Sequence, residues 1–436
     1  MSKTPGASAS TLPADGTRRD LLVGIARGAL VGAVAAIGSN VEAHASPAPA
    51  PLRHATEAVT PFRVVTSRSA INDARRRLRA TRWPERETAD DWQQGVPLAR
   101  IQALVAYWRA GYDWHRLERR LNAYPQFRTE IDGLGIYFLH VRSPDEHARP
   151  MILTHGWPGS VVEFLNVIDP LTNPTKHGGQ AEDAFHVVVP SLPGFGFSDK
   201  PTESGWGLPR IARAWSVLMR RLGYTDYLAQ GGDWGAGVTT WMAKQHVEGL
   251  AAIHLNLPIL FPPPVDGEPN QAEKATIAQL VAFNDKGSAY ARIQSTRPQT
   301  IGYALADSPA GQAAWIYEKL GEWTDSSYQP EREISRDEML DNISLYWLTN
   351  TAASSARLYH ESFTTDFSTQ RLDLPVAVSI FPGEVFQPPR LWGERVYSRL
   401  FYWNQAAHGG HFAAFEQPAI FVEELRAAFR ALPRGG

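Results

Sequence analysis

The chain has 436 residues, a net charge of −2 and 20% charged side chains, so its composition offers no basic surface for nucleic acid. It contains no cysteine, which excludes disulfides, thiol catalysis and cysteine-ligated metals. The length exceeds that of one small domain and allows a large core with insertions.

Residues 1–45 have the features of an export signal. Arg18 and Arg19 form a twin-arginine pair, and a Gly/Ala-rich apolar segment follows at residues 21–38. Residues 43–45 read Ala-His-Ala, which matches an A-x-A cleavage site. The order of these three features predicts export by the twin-arginine route to the periplasm or the cell exterior.

The apolar segment is interrupted by Arg27, so no stable membrane span is expected after cleavage; an uncleaved anchor is the alternative. Residues 46–60 are rich in Pro and Ala and are predicted to form a linker. Residues 61–126 are predicted to form an N-terminal helical extension. Its helical stripes cover residues 71–80, 101–112 and 114–121.

Residues 127–258 alternate between strand and helix patterns, which is typical of an α/β fold with a mostly parallel sheet flanked by helices. Residues 259–365 break this alternation and predict a helical insertion, or cap, over the sheet. Residues 366–436 resume the alternation. Strands are predicted at residues 127–131, 136–141, 151–153, 185–189, 227–229, 251–257, 375–381 and 399–403. Helices are predicted at residues 208–222, 238–245, 271–284, 311–321, 337–360 and 418–432.

The segment 230–237 places a reactive side chain, Asp233, where an apolar strand gives way to a helix. A sharp strand-to-helix turn with small neighbours is typical of a nucleophile elbow, and Gly231 and Gly235 meet that requirement. The alternative interpretation is an ordinary turn aspartate, since Gly-Asp is common in loops.

An aspartate at this position favours a particular chemistry. A serine alkylated at saturated carbon would become an ether, which water does not readily cleave. A carboxylate alkylated at saturated carbon becomes an ester, and water can attack the carbonyl carbon of that ester to restore the enzyme. Asp233 therefore suits substrates that are opened by displacement at carbon, such as epoxides or alkyl halides.

An acid and a base are needed downstream of such a nucleophile. Glu384 and His411 each follow an apolar strand, and the order Asp233, Glu384, His411 is that of nucleophile, acid and base in hydrolases with this elbow. The sequence leaves three other acids open as alternatives to Glu384, namely Glu361, Asp373 and Glu394. His408 lies three residues before His411, but no further carboxylate stands at metal-ligand spacing, so no metal site is expected.

Five segments carry a resemblance to a known family: residues 155–160, 193–198, 231–235, 381–384 and 409–412. Through them the chain resembles the microsomal-type epoxide hydrolases of the α/β-hydrolase superfamily, including their N-terminal extension, over about residues 61–436. The resemblance implies an α/β-hydrolase fold and the conversion of an epoxide and water to a vicinal diol without a cofactor. The signal segment lies outside it.

The resemblance also assigns roles. Asp233 would be the nucleophile, His411 the base and Glu384 its partner. The backbone N–H groups of Trp157 and Trp234 would hold the oxyanion that forms when water attacks the ester.

Two cap tyrosines are implied as donors to the epoxide oxygen, and Tyr290 and Tyr359 fit the family's sequence contexts. The alternative for any single tyrosine is core packing. The six tyrosines of the predicted cap are Tyr290, Tyr303, Tyr317, Tyr328, Tyr346 and Tyr359.

Two other functions stay open on the sequence. A haloalkane dehalogenase would share the aspartate nucleophile, although such enzymes typically carry Asn where this chain has Trp157. A catalytically silent hydrolase fold that acts as a binding module is the alternative from another class. The expected partner is a small epoxide, and a homodimer is compatible with the sequence but not required by it.

Overall fold

The computed structural model describes residues 57–262, 268–362, 365 and 371–433. The predicted signal segment, residues 1–45, and the linker up to residue 56 lie outside the described residues. Among the described helices, none is both long and apolar enough to cross a membrane.

A nine-stranded sheet forms the centre of the molecule. Its strands are β1 Thr60–Phe62, β2 Gln126–Ile131, β3 Leu134–Val141, β4 Arg149–Thr154, β5 Phe185–Pro190, β6 Tyr227–Gly231, β7 Leu250–Leu255, β8 Leu372–Ile380 and β9 Tyr397–Gln405. The spatial order is β1-β2-β3-β5-β4-β6-β7-β8-β9. The first three strands and β5 pair antiparallel, whereas every pair from β5 to β9 is parallel. The continuous apolar runs of the central strands suit a parallel sheet that is covered on both faces.

The helices fall into groups along the chain. The N-terminal part contributes α1 Arg68–Arg79, α2 Leu98–Ala110 and α3 Arg116–Asn122. The sheet is flanked by α4 Ile168–Thr172, α5 Leu208–Arg221 and α6 Asp233–Lys244. Between β7 and β8, the described residues form six helices: α7 Gln271–Ala282, α8 Ala289–Thr296, α9 Pro298–Asp307, α10 Pro309–Trp323, α11 Arg336–Thr349 and α12 Ala352–Ser362. The last three are α13 Arg390–Val396, α14 Ala413–Glu416 and α15 Pro418–Arg430.

The inserted helices differ from the predicted ones in two respects. The single helix expected at residues 337–360 is two helices, α11 and α12, because Asn350 adopts the left-handed conformation with a φ of 51° and ends α11. The helices α8 and α9, which are short and separated by Arg297, were not predicted. Strand β1 was missed as well, because Thr60 was assigned to the linker.

The N-terminal helices dock onto the inserted helix α11 through buried polar contacts. The indole N–H of Trp108 donates to Ser344 Oγ at 2.9 Å, and the hydroxyl of Tyr112 donates to Asp341 at 2.8 Å. Arg120 also donates to Asp341, at 2.8 Å, and the Asp341 side chain has no accessible surface. These contacts fix α11, which in turn contacts the loop that follows the carboxyl end of β4.

Candidate active site

Asp233 lies at a sharp turn between β6 and α6. Its φ is 50°, which is strained for a residue with a side chain. A Cβ on Gly231 would overlap the carbonyl of Gly235, and a Cβ on Gly235 would overlap the carbonyl of Thr154. Only glycine fits at these two positions, so the two glycines permit the turn. The Asp233 carboxylate therefore stands at the positive N-terminus of α6.

Two groups hold the carboxylate oxygens of Asp233. The backbone N–H of Trp157 donates to Oδ1 at 2.8 Å, and the Nε2 atom of His411 lies 3.3 Å from Oδ2. Gly156 makes this approach possible, because a Cβ there would overlap the Asp233 carboxylate. One oxygen thus contacts an amide donor and the other faces an imidazole.

His411 is held by Glu384 on its other side. The Nδ1 atom of His411 lies 2.7 Å from Glu384 Oε1, and the Glu384 side chain is fully buried. This contact places the Nδ1 proton toward Glu384 and directs Nε2 to Asp233. Burial alone would lower the pKa of His411, but the charges of Glu384 and Asp233 outweigh it and hold that pKa well above its usual value.

The competing acids lie elsewhere. Glu361 accepts a hydrogen bond from the backbone N–H of Gly205, Asp373 bonds to Ser398, and Glu394 bonds to Arg390. Of the four acids that the sequence left open, the structure brings Glu384 to His411.

Tyr290 and Tyr359 belong to an aromatic cluster above Asp233. The ring of Tyr290 stacks on Trp157 with a centroid distance of 5.1 Å, and the ring of Tyr359 meets Trp234 edge-on at 4.7 Å. The two tyrosine rings are 5.7 Å apart. The Oη atom of Tyr359 is buried without a hydrogen-bond partner among the described residues.

The surroundings keep both hydroxyls protonated. Burial raises the pKa of Tyr290 well above its usual value, and the charge of Asp233 raises it further. Burial also raises the pKa of Tyr359, with further contributions from Tyr290 and Asp233. Two neutral phenols near one carboxylate are suited to donating hydrogen bonds to an oxygen that gains charge.

The other four tyrosines of this region are placed differently. Tyr303 and Tyr328 are exposed, with 70% and 45% of their surface accessible. The hydroxyl of Tyr317 donates to Glu331 at 2.7 Å, and that of Tyr346 donates to the carbonyl of Gly159 at 2.7 Å.

The two tryptophans predicted at the oxyanion site also lie beside Asp233. Trp157 contributes both the amide described above and a ring that stacks on Tyr290. Trp234 follows Asp233 directly, and its ring packs against Tyr359. His408, the other histidine of the predicted loop, is exposed, whereas His411 is buried. The described ranges contain no group of three or more side chains arranged to hold a metal ion.

Several residues that shape the site were missed from the sequence. Glu416 accepts hydrogen bonds from the backbone N–H groups of Gly410 and Phe412, at 3.0 and 2.9 Å, and so fixes the loop that carries His411. Burial raises the pKa of Glu416 to about 8. Its position five residues after His411 was an available but unspecific signal.

The inserted helix α11 also holds the loop that carries Trp157. Asn342 donates to the carbonyl of Pro158 at 2.8 Å and accepts from the hydroxyl of Ser160 at 2.7 Å. Asn342 is 184 residues from Pro158 and 182 residues from Ser160 in the sequence, so no local sequence pattern indicates these contacts.

A buried cation completes the aromatic cluster. The Lys319 ammonium lies 4.7 Å from the ring centre of Tyr290 and is paired with Glu322 at 2.7 Å. A cation over the face of an aromatic ring is attracted by the ring's quadrupole, so the contact between Lys319 and Tyr290 restrains the orientation of the Tyr290 ring.

The mostly parallel sheet and the elbow, acid and histidine at the ends of its strands define an α/β hydrolase. Residues 149–298 match the family model for the alpha/beta hydrolase fold, and residues 59–164 match the model described as epoxide hydrolase N terminus. A protein from Stigmatella aurantiaca with the name "Putative epoxide hydrolase" is 62% identical over 377 residues, which span 86% of this chain and 85% of that protein.

Two further relatives agree. "Epoxide hydrolase 1" from Sus scrofa is 35% identical over 403 residues, covering 85% of this chain and 88% of its own length. The solved structure of the Aspergillus niger epoxide hydrolase superposes with a TM-score of 0.78 at 34% identity, covering 87% of this chain and 98% of that one. The chain belongs to the epoxide hydrolase family.

Proposed function

We propose that this protein hydrolyses an epoxide to a vicinal diol through a covalent ester on Asp233. The observation that carries the proposal is the placement of Asp233 between two sets of groups. An amide N–H and a histidine contact its oxygens, and two buried phenols lie above it. Membership of the epoxide hydrolase family supports the same chemistry.

In the first half of the reaction, Asp233 attacks one epoxide carbon. Its Oδ1 is held by the Trp157 amide at 2.8 Å, whereas Oδ2 has only the longer, 3.3 Å contact with His411, so Oδ2 is the oxygen that attacks. The C–O bond of the ring breaks as the new ester bond forms, and the leaving oxygen takes hydrogen bonds from Tyr290 and Tyr359. Acid assistance matters because an alkoxide is a poor leaving group.

In the second half, His411 acts as a base on water. In the free enzyme, burial lowers the pKa of His411 while the charges of Glu384 and Asp233 raise it well above its usual value. Formation of the ester removes the charge of Asp233, so one of the two groups that keep His411 protonated is lost at that point. The pKa of His411 then falls, its proton passes to the alkoxide that the two tyrosines hold, and the neutral Nε2 atom becomes able to accept a proton.

The ester is then hydrolysed. Water loses a proton to His411 and attacks the carbonyl carbon of Asp233, while the Trp157 amide stabilises the resulting oxyanion. The C–O bond to the substrate breaks, the proton on His411 passes to the leaving oxygen, and the diol departs. The second proton of the water remains on the Asp233 carboxyl and passes to His411, which restores the carboxylate and the imidazolium of the free enzyme. Glu384 stabilises the imidazolium form of His411 during these steps.

A single turnover in oxygen-18 water tests the covalent step. Label is expected in the Asp233 carboxylate, detected by mass spectrometry of the peptide that contains it, before it reaches the diol. Label in the diol with Asp233 unlabelled would mean direct attack by water and would refute the covalent route.

The two phenols favour an epoxide over an alkyl halide, because a halide leaves without a proton donor. Halide-release and epoxide-opening assays on the same preparation separate the two reactions. Turnover in either assay eliminates a silent binding module.

We also propose export by the twin-arginine route. The support is the sequence order of Arg18 and Arg19, the apolar segment and the Ala-His-Ala tripeptide at residues 43–45.

A further inference from the structure

A small cavity lies beside the carboxylate of Asp233. Its walls include Asp233, His411, Trp157 and Glu163, and its free volume is about 20 Å³. A site needs roughly 10–15 Å³ of such volume and several polar partners to hold one water molecule. The cavity therefore has the size for one water next to the base and the carbon that water must attack.

Glu163 is placed in this wall by the loop that supplies the Trp157 amide. It belongs to a short 3₁₀ helix, Val161–Phe164, whose first turn is capped by the hydroxyl of Ser160. This helix packs against α14, the segment that follows His411. The backbone segment that bears Glu163 therefore contacts both the loop that carries Trp157 and the segment that follows His411.

Gly159 makes the room that the Glu163 carboxyl occupies. A Cβ on Gly159 would overlap Glu163 Oε1. Any other residue at position 159 would displace the carboxyl from the cavity. Glu163 is partly accessible although protein surrounds its side chain. The accessible surface is the part of Glu163 that faces the cavity.

The charges around Glu163 come from the reaction centre itself. Burial raises the pKa of Glu163 to about 8, His411 lowers it and Asp233 raises it. Neither a lysine nor an arginine is among the groups that act most strongly on it. Near neutral pH the carboxyl is therefore mostly protonated, and a protonated carboxyl can both donate and accept a hydrogen bond.

We propose that Glu163 is a further catalytic residue, which binds the water that hydrolyses the Asp233 ester and holds it between His411 Nε2 and the carbonyl carbon. The water gives its proton to His411 and its oxygen to that carbon, and Glu163 contributes hydrogen bonds without changing its own bonding. This inference rests on the proposed covalent route.

Two variants test it, with alkylation and ester hydrolysis followed separately in single turnovers. Glu163→Met keeps the length of the side chain but removes both hydrogen-bonding functions. Misplacing a reactant by about 1 Å costs roughly 100-fold, so ester hydrolysis should slow by about that factor while alkylation stays near the wild-type rate. Glu163→Gln keeps a donor and an acceptor, so a smaller loss of about 10-fold in hydrolysis is expected.

Glu424→Gln is the matched control, because Glu424 is also a buried acid but bonds to Ser379, Tyr402 and Asn404, away from the cavity. Both half-reactions should stay near the wild-type rates in this variant. The amplitude of the alkylation burst measures the concentration of folded active sites in each sample, so that rates are compared per folded enzyme.

Ester hydrolysis at the wild-type rate in Glu163→Met would overturn the assignment. Equal losses in both half-reactions of both Glu163 variants would overturn it too, because they would indicate a structural role. If Glu163→Met gives no burst, Glu163→Gln decides: normal alkylation with slowed hydrolysis supports the assignment, and unchanged hydrolysis refutes it. A wild-type enzyme that never alkylates would instead refute the covalent route itself.

Discussion

Replacing Tyr359 by Phe should lower activity without lowering stability. The Tyr359 hydroxyl is buried without a hydrogen-bond partner among the described residues, so its removal breaks no hydrogen bond of the fold. Because no hydrogen bond of the fold is lost, the free energy of unfolding should stay near the wild-type value. The ring remains and keeps its contact with Trp234.

The alkylation rate should fall in the same variant. Losing one of two donors to a developing alkoxide should cost about 2–4 kcal/mol, as an oxyanion-hole deletion does. That loss corresponds to roughly 30- to 1000-fold in rate. Stopped-flow tryptophan fluorescence can follow alkylation, because Trp157 and Trp234 both pack against the tyrosines. Denaturant unfolding gives the stability.

Tyr317→Phe is the matched control for this prediction. Tyr317 is a buried tyrosine of the same inserted region, but its hydroxyl donates to Glu331 at 2.7 Å. Its variant should lose about 1 kcal/mol of stability and keep the alkylation rate. If Tyr359→Phe alkylates at the wild-type rate, or loses stability as Tyr317→Phe does, the hydroxyl has a structural role and the reasoning fails.

Three further predictions follow from the site, the docking of the N-terminal helices and the proposed export signal. His411→Gln should still form the alkyl-enzyme but hydrolyse it far more slowly, so mass spectrometry should show the ester accumulating; a variant that never alkylates contradicts the assignment of the base. Asp341→Leu removes a buried carboxylate shared by two arginines of α3 and should lower the free energy of unfolding by about 3 kcal/mol, whereas a wild-type denaturation midpoint would show that this contact contributes little. Replacing Arg18 and Arg19 together by Lys should leave the precursor in the cytoplasm, and unchanged export on fractionation would rule out the twin-arginine route.

The sheet and the elbow could be predicted because their signals are local. Apolar runs of the parallel strands stand out from polar loops, and the predicted strands match β2 to β9 within a few residues at each end. Gly231 and Gly235 flank Asp233 within five residues of sequence, although the group that excludes a side chain at Gly235 is Thr154 on the neighbouring strand β4. Both the fold class and the position of Asp233 therefore follow from short stretches of sequence.

The rest of the site depends on contacts between distant segments. Composition did not separate Glu384 from Glu361, because both are acids in the last third of the chain, and only the folded register brings one of them to His411. Asn342 contacts the loop of Trp157 from a helix far along the sequence. The helix break occurs at Asn350, and asparagine adopts the left-handed conformation more readily than most residues. Asparagine also occurs inside many helices, so its presence alone does not predict a break.

The order of the two half-reactions can be argued from the charges that surround His411. Burial raises the pKa values of Glu163 and Glu416 to about 8, so both are mostly neutral near pH 7 and add little negative charge. Burial lowers the pKa of His411, and the two groups that raise it are Glu384 and Asp233. On the proposed covalent route only Asp233 changes its charge, because esterification neutralises it. His411 is thus held protonated until a substrate has been captured, and it becomes a base only when there is an ester to hydrolyse.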